Sequence, residues 1–143
     1  GDGMRDAAQT AVLNANYLKK LLEPHCDAAT PGLCMHEFVL TMEHLKKETG
    51  VSAMDVAKSM LDYGMHPPTM YFPLIVPEAL MFEPTETESK ATLDWAAHTI
   101  AEILERAHTD PESLHAAPTR TPIRRPDEVR AARTPKLRYS FDA

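Results

Sequence analysis

The chain has 143 residues, of which 43% are hydrophobic, and this is enough for one compact core with tails. Its formal net charge of −6 argues against a dedicated nucleic-acid-binding protein, which needs a positive surface to meet phosphates. No apolar run approaches the roughly 18 residues that cross a bilayer, and no signal peptide is recognisable. The composition therefore predicts a soluble, cytoplasmic protein with no nucleic-acid or membrane partner.

The chain begins with a predicted helix at residues 5–22, where Ala8, Ala11, Ala15 and Leu18 recur near helical spacing. Almost nothing precedes this helix, so its apolar face has no upstream partner. We therefore expect residues 1–24 to continue from a large domain that is missing here.

Apolar and polar residues then alternate over residues 36–42, which is typical of a half-buried strand. A helix is the competing interpretation, because the segment runs on into charged residues up to Gly50. Before it, the prolines and the glycine of residues 23–33 predict a loop.

The best-marked helix of the sequence follows. Ser52 is its predicted N-cap, Asp55 completes a capping box, and Gly64 ends it. Two short strands are predicted at residues 69–72 and 79–82, separated by a bridge with a proline at each end.

A second long helix is predicted from Ser89 to about residue 106, with Pro111 stopping it. From there the sequence becomes rich in proline and arginine, so residues 111–143 are predicted to form an extended arm with a helical turn at 127–133. Such an arm stays disordered unless a partner surface orders it.

These elements predict an α+β fold over residues 25–110. The β-α-β-β-α order is that of a small, three-stranded antiparallel sheet with its helices on one face.

Cys26, Cys34 and His36 raise the possibility of zinc, but their spacing matches no compact zinc motif and a structural site needs four ligands. We predict no metal and two free thiols. No phosphate loop or nucleophile motif is present, and all seven lysines are expected in polar settings.

Two stretches are candidates for function. His66 and Thr69 flank two prolines and could lie at the mouth of a site, or the prolines could simply set the entry into a strand. The second stretch, residues 83–89, is acidic and opens a helix. Capping and the helix dipole account for Glu88 and Ser89, but less well for Glu83.

Several motifs together resemble one family, the C-terminal end of glycine decarboxylase. This is the pyridoxal-phosphate-dependent P-protein of the glycine cleavage system, or subunit 2 of its two-subunit form. The runs that carry the resemblance are AVLNANYL (11–18), MHEFV (35–39), DYGMHPPT (62–69), YFPLIV (71–76), ALMFEPTETESK (79–90) and AAR (131–133).

The resemblance implies the small C-terminal domain of an aminotransferase-like, fold type I enzyme that decarboxylates glycine and passes an aminomethyl group to the lipoyl carrier protein (H-protein). The implied partners are the upstream large domain, the other P-protein subunit and that carrier. The family's Schiff-base lysine lies upstream of residue 1, so no catalytic residue and no bound cofactor are expected in this chain alone.

Residue by residue, the resemblance implies that His66 and Thr69 line the active-site entrance. It implies that Glu83, Thr85 and Glu86 face the site or a domain interface. Arg130 and Arg133 would lie on an arm that wraps the rest of the enzyme. The alternative hypothesis is a non-enzymatic interaction module that docks a partner through its C-terminal arm.

Overall fold

A computed structural model describes residues 1–141 and shows a small α+β domain. In chain order the elements are α1 (Asp2–Leu22), β1 (Asp27–Ala28), β2 (Phe38–Thr41), α2 (Glu43–Thr49), α3 (Ala53–Asp62), β3 (Thr69–Met70), β4 (Ala79–Phe82), α4 (Lys90–Thr109), α5 (Pro111–Ala116) and α6 (Glu128–Arg133). Among the described residues, no helix is both long enough and apolar enough to cross a membrane.

The four strands form one antiparallel sheet in the order β1-β2-β4-β3. Phe38 pairs with Phe82 and Leu40 with Leu80, so these four side chains share one face. All four are buried, and the two phenylalanine rings stack with their centroids 5.4 Å apart. This face is the sheet's side of the core.

Helices α1, α3 and α4 complete the same core. Their apolar residues recur at three- and four-residue spacing, and burying that stripe stabilises each helix more than its intrinsic propensity does. The residues that they bury include Ala15, Leu18, Leu22, Val56, Ala57, Met60, Leu93, Ile100, Ile103 and Leu104.

The helix ends follow the local signals in the sequence. Ser52 and Asp55 form the predicted capping box of α3, and Ser89 caps α4 through the backbone N–H of Thr92. After α3, Gly64 adopts a φ of 76°, and the N–H of Met65 donates to the carbonyl of Met60 over 3.2 Å. This left-handed turn is where glycine is favoured at a helix end.

The predicted strand at residues 36–42 is confirmed, but the predicted three-stranded sheet is wrong because there are four strands. The extra strand, β1, lies within the predicted loop and has only two residues, too few to show periodicity. Residues 43–49 also form a separate helix.

The arm also differs from the prediction at its start. Pro111 does end α4, yet it begins the short helix α5, where Asp110 is the N-cap. Proline is favoured at a first helical position because its missing N–H would have no partner there. The predicted helical turn at 127–133 is confirmed as α6.

Candidate functional site

An open groove of about 490 Å³ lies where β4 ends and α4 begins. One wall is the run from Gly64 to Thr69, and the other comes from the first turns of α4, including Trp95. Its deeper surface is apolar, with Leu18 and Ile100 among the lining residues. The groove therefore combines an apolar floor with a polar rim.

Three predicted site residues, His66, Thr69 and Glu83, line this one groove, and all three are exposed. Pro67 and Pro68 hold the backbone extended between the first two, because the residue before a proline avoids helical geometry. The geometry thus brings an imidazole, a hydroxyl and a carboxylate to the mouth of one groove.

A second imidazole lies beside Glu83 and was not among the predicted site residues. The Nε2 atom of His36 is 3.8 Å from Oε1 of Glu83, and both side chains are more than half exposed. His36 was considered only as a metal ligand. Its position just before β2, whose residue Phe38 pairs with Phe82, is what places it next to Glu83.

Residues 83–89 form the acidic turn that opens α4. Its other two predicted site residues, Thr85 and Glu86, are not among those that line the groove. The Thr85 hydroxyl contacts that of Thr87 at 2.8 Å, and Glu86 is exposed. Glu88, which sequence analysis explained by capping alone, does line the groove.

The acidic turn is held in place by a residue that sequence analysis missed. Asn14 on α1 is 8% exposed, and its Nδ2 donates to the carbonyl oxygens of Thr85 at 2.8 Å and Glu88 at 3.1 Å. A buried amide needs such partners, and here they are backbone groups of the turn. The signal available in the sequence was a polar residue on the apolar stripe of α1.

The cysteines do not share a site with His36. Cys26 Sγ contacts the Leu22 carbonyl oxygen at 3.6 Å, whereas the N–H of Cys34 donates to Oδ1 of Asn16. Burial, followed by the charge of Asp27, raises the pKa of Cys26 to about 12. Within residues 1–141, no group of three or more potential ligands has metal-binding geometry.

One lysine, Lys19, is buried and only 2% exposed, although its ammonium lies in a polar setting. Its ammonium donates to the carbonyl oxygens of Thr30 at 2.9 Å and Gly32 at 2.6 Å. The lysine anchors the loop between β1 and β2, because two backbone acceptors compensate for the burial of its charge.

The predicted interface residues Arg130 and Arg133 are exposed on α6, and the described contacts that attach the arm to this domain come from another arginine. Arg125 contacts Oδ1 of Asp55 at 2.7 Å and donates to the carbonyl oxygen of Ala117 at 2.6 Å. Sequence analysis did not single out Arg125, since nothing local distinguishes it from its neighbours.

A second anchor holds the arm at the other end of α3. The Asp62 carboxylate accepts from the backbone N–H groups of Thr119 and Arg120, at distances of 2.7 to 2.8 Å. Burial raises the pKa of Asp62, but these hydrogen bonds outweigh burial and leave its pKa below the ordinary value. The start of the arm is thus part of the folded domain.

Comparison with known proteins identifies the family of this chain. A family described as "Glycine dehydrogenase, C-terminal domain" matches residues 7–122, which is most of the chain. The chain therefore belongs to the glycine dehydrogenase C-terminal domain family.

Individual relatives are named as a subunit of glycine dehydrogenase. The chain is 60% identical over 138 residues to "Probable glycine dehydrogenase (decarboxylating) subunit 2" of Treponema denticola. It is 55% and 51% identical to the proteins of that name from Thermosipho africanus and Thermotoga maritima. These matches cover at least 96% of this chain but only 29% of each relative, so the chain spans less than a third of their length.

Proposed function

We propose that this chain works as the C-terminal domain of a cytoplasmic, pyridoxal-phosphate-dependent enzyme of the aminotransferase-like fold type I. That enzyme would decarboxylate glycine and pass the remaining aminomethyl group to a lipoyl carrier protein. The supporting observation is the 60% identity, over 96% of this chain, to a relative named as glycine dehydrogenase (decarboxylating) subunit 2. The word "subunit" supports a companion subunit as a further partner.

We propose that this groove alone does not complete a pyridoxal phosphate site. No lysine and no arginine is among the groove-lining residues, so the groove offers neither an amine for the cofactor's aldehyde nor a cation for its phosphate. The sequence analysis likewise found no phosphate loop. We propose that these groups come from the part of the enzyme that the relatives have and this chain does not cover.

The groove would then form one wall of the active-site entrance. Its apolar floor and a few converging polar groups are typical of small-molecule sites. We assign the rim positions to His66, Thr69 and Glu83. Thr85 and Glu86 would contact the rest of the enzyme beside the groove.

Substitution of the rim tests this assignment in the full-length enzyme assembled with its companion subunit. We expect Glu83→Gln and His66→Ala each to slow glycine–bicarbonate exchange at least about tenfold, equivalent to ~1.4 kcal/mol of lost transition-state stabilisation. Glu105→Gln, which changes an exposed carboxylate on α4, is the matched control and should leave the rate unchanged. Unchanged rates in both rim variants would remove them from the site.

Visible absorbance separates the enzyme domain from the alternative of a free-standing interaction module. Given pyridoxal phosphate, the 143-residue chain alone should show no absorbance from bound cofactor, whereas co-expression with the upstream segment and the companion subunit should give a coloured complex. A colourless complex that still assembles would favour the interaction module.

A further inference from the structure

Two features of the fold place His36 beside the carboxylate at the groove mouth. The first is the sheet, in which Phe38 pairs with Phe82 and their ring centroids lie 5.4 Å apart. Because these strands are antiparallel, the residues just before Phe38 lie opposite those just after Phe82. His36 and Glu83 therefore meet at one end of the sheet, next to the groove that Glu83 lines.

The second feature is the anchoring of the loop that leads to His36. Asn16 on α1 exchanges two hydrogen bonds with the backbone of Cys34, at 2.8 and 2.9 Å. The buried ammonium of Lys19 donates to two carbonyl groups earlier in the same loop. Such hydrogen bonds fix a loop whose backbone groups have few other partners. The backbone is thus held on both sides of His36, so the fold determines where its imidazole can reach.

The imidazole of His36 lies between two carboxylates at almost equal distances. Its Nε2 atom is 3.8 Å from Oε1 of Glu83 and 3.9 Å from Oε2 of Glu37. Within the part of the chain that the structure describes, these are the charged groups that pair with His36. Glu83 lines the groove, whereas Glu37 is not among the groove-lining residues. The contact with Glu83 is therefore the one that can affect the groove.

The strength of this contact depends on the charge of the imidazole. Histidine is the side chain that changes charge near neutral pH, and a protonated imidazole attracts an ionised carboxylate. The side chains of His36 and Glu83 are both more than half exposed, so the attraction contributes little to the stability of the fold. We expect its effect on the direction and charge of the Glu83 carboxylate instead.

We propose that His36 is a positioning residue for the groove, and that its protonated imidazole holds the Glu83 carboxylate, in the ionised form, at the groove mouth. This inference rests on the proposed function, in which Glu83 belongs to the rim of the active-site entrance. It adds a residue that acts through Glu83 and a direction for the pH dependence of that action.

The test measures glycine–bicarbonate exchange by the full-length enzyme, assembled with its companion subunit, at about pH 6 and about pH 8. We expect His36→Gln to slow exchange about threefold at the lower pH, as the loss of an exposed ion pair would, and by less at the higher pH. The rates of variant and wild type are divided at each pH, so that the titration of other groups cancels. The melting temperature of His36→Gln should match that of the wild type.

Two further variants make the test specific. An enzyme that already carries Glu83→Gln should not be slowed further by His36→Gln, because two residues that act through one contact are not additive. His98→Gln is the matched control, because His98 also pairs with a carboxylate, at 3.3 Å from Glu102, but is not among the groove-lining residues. Its rate should equal that of the wild type at both pH values.

The possible failures are distinguishable. If His36→Gln keeps the wild-type rate at both pH values while Glu83→Gln is slowed, the inference is overturned and the proposed function stands. If Glu83→Gln also keeps the wild-type rate, the rim assignment fails together with the inference. Equal slowing at both pH values, further slowing in the Glu83→Gln enzyme or a lower melting temperature would each show that His36 does not act through the charge of Glu83, and each overturns the inference.

Discussion

The carboxylate of Asp55 has two roles: it completes the capping box of α3, and it binds the arm. Its carboxylate accepts from the Ser52 N–H at 2.8 Å and the Ser52 hydroxyl at 2.6 Å, and contacts Arg125 of the arm at 2.7 Å. Burial raises the pKa of Asp55, but the hydrogen bonds from Ser52 and Arg125 outweigh burial and lower the pKa overall. The folded state thus favours the ionised carboxylate.

This shift predicts the direction of the pH dependence of stability. A carboxyl group with a lowered folded-state pKa stabilises the fold above its unfolded pKa of about 4, and the contribution disappears as the pH falls through the folded-state pKa. We therefore expect Asp55→Asn to lower the free energy of unfolding by about 2 kcal/mol at pH 7, with a smaller difference at about pH 3. Urea titrations at the two pH values measure both quantities.

Asp127→Asn is the control for this prediction. Asp127 accepts from the Arg130 N–H at the start of α6, a helix of six exposed residues, so its loss should change stability by about 0.5 kcal/mol or less. If Asp55→Asn lowered the free energy of unfolding by the same amount at both pH values, the ionised carboxylate of Asp55 would not be the stabilising form.

At the scale of elements, α1 anchors two separate loops through Asn14 and Asn16, which are two positions apart and point to different sides of the helix. Asn14 binds the acidic turn, while Asn16 exchanges hydrogen bonds with the backbone of Cys34, with Nδ2 2.8 Å from the carbonyl oxygen and Oδ1 2.9 Å from the nitrogen. Each asparagine side chain supplies hydrogen-bond partners to loop backbone groups that have none in a helix or sheet. The helix therefore positions the groove's acidic turn as well as filling the core.

Hydrogen exchange should resolve these two roles. We expect Asn14→Ala to speed amide exchange in residues 85–88 about tenfold, as the loss of one or two buried hydrogen bonds would, without changing residues 33–35. Asn16→Ala is the reciprocal control and should speed exchange only in the second segment. If both variants loosened both segments equally, α1 would be acting through general stability and not through local anchoring.

At the scale of the whole molecule, the arm divides into a packed start and an exposed remainder. Ala117 is 1% exposed and Pro118 is fully buried, whereas residues 122–141 are exposed throughout apart from the contacts that Arg125 makes. The start of the arm thus contributes to the free energy of folding, and the remainder is available to a partner.

Two truncations of the chain test this division. Ending the chain after Arg125 should leave the melting temperature within about 1 °C, because the removed residues are exposed. Ending it after Pro118 removes the hydrogen bonds to Asp62 and the Arg125 contact with Asp55, and should lower the melting temperature by about 5 °C or more. If both truncations changed the melting temperature equally, the contacts at Asp62 and Asp55 would contribute nothing to stability.

Local signals in the sequence determined much of the architecture. The capping box of Ser52 and Asp55, the N-cap of Ser89 and the helix end at Gly64 are each set by residues within one or two turns. The alternation of residue types along β2 likewise predicts which of its side chains are buried. These features are predictable because the interacting atoms are neighbours in the chain.

Tertiary structure alone decided which distant residues meet. Strand β1 exists because β2 offers it hydrogen-bonding partners, and Asn14 meets Thr85 across 71 positions of sequence. Arg125 anchors the arm to this domain because it reaches the buried carboxylate of Asp55. The sequence determined which segments form helices and strands, since that depends on nearby residues. Only packing decided how loops and the arm are held, because each polar group there pairs with whatever the folded core brings within reach.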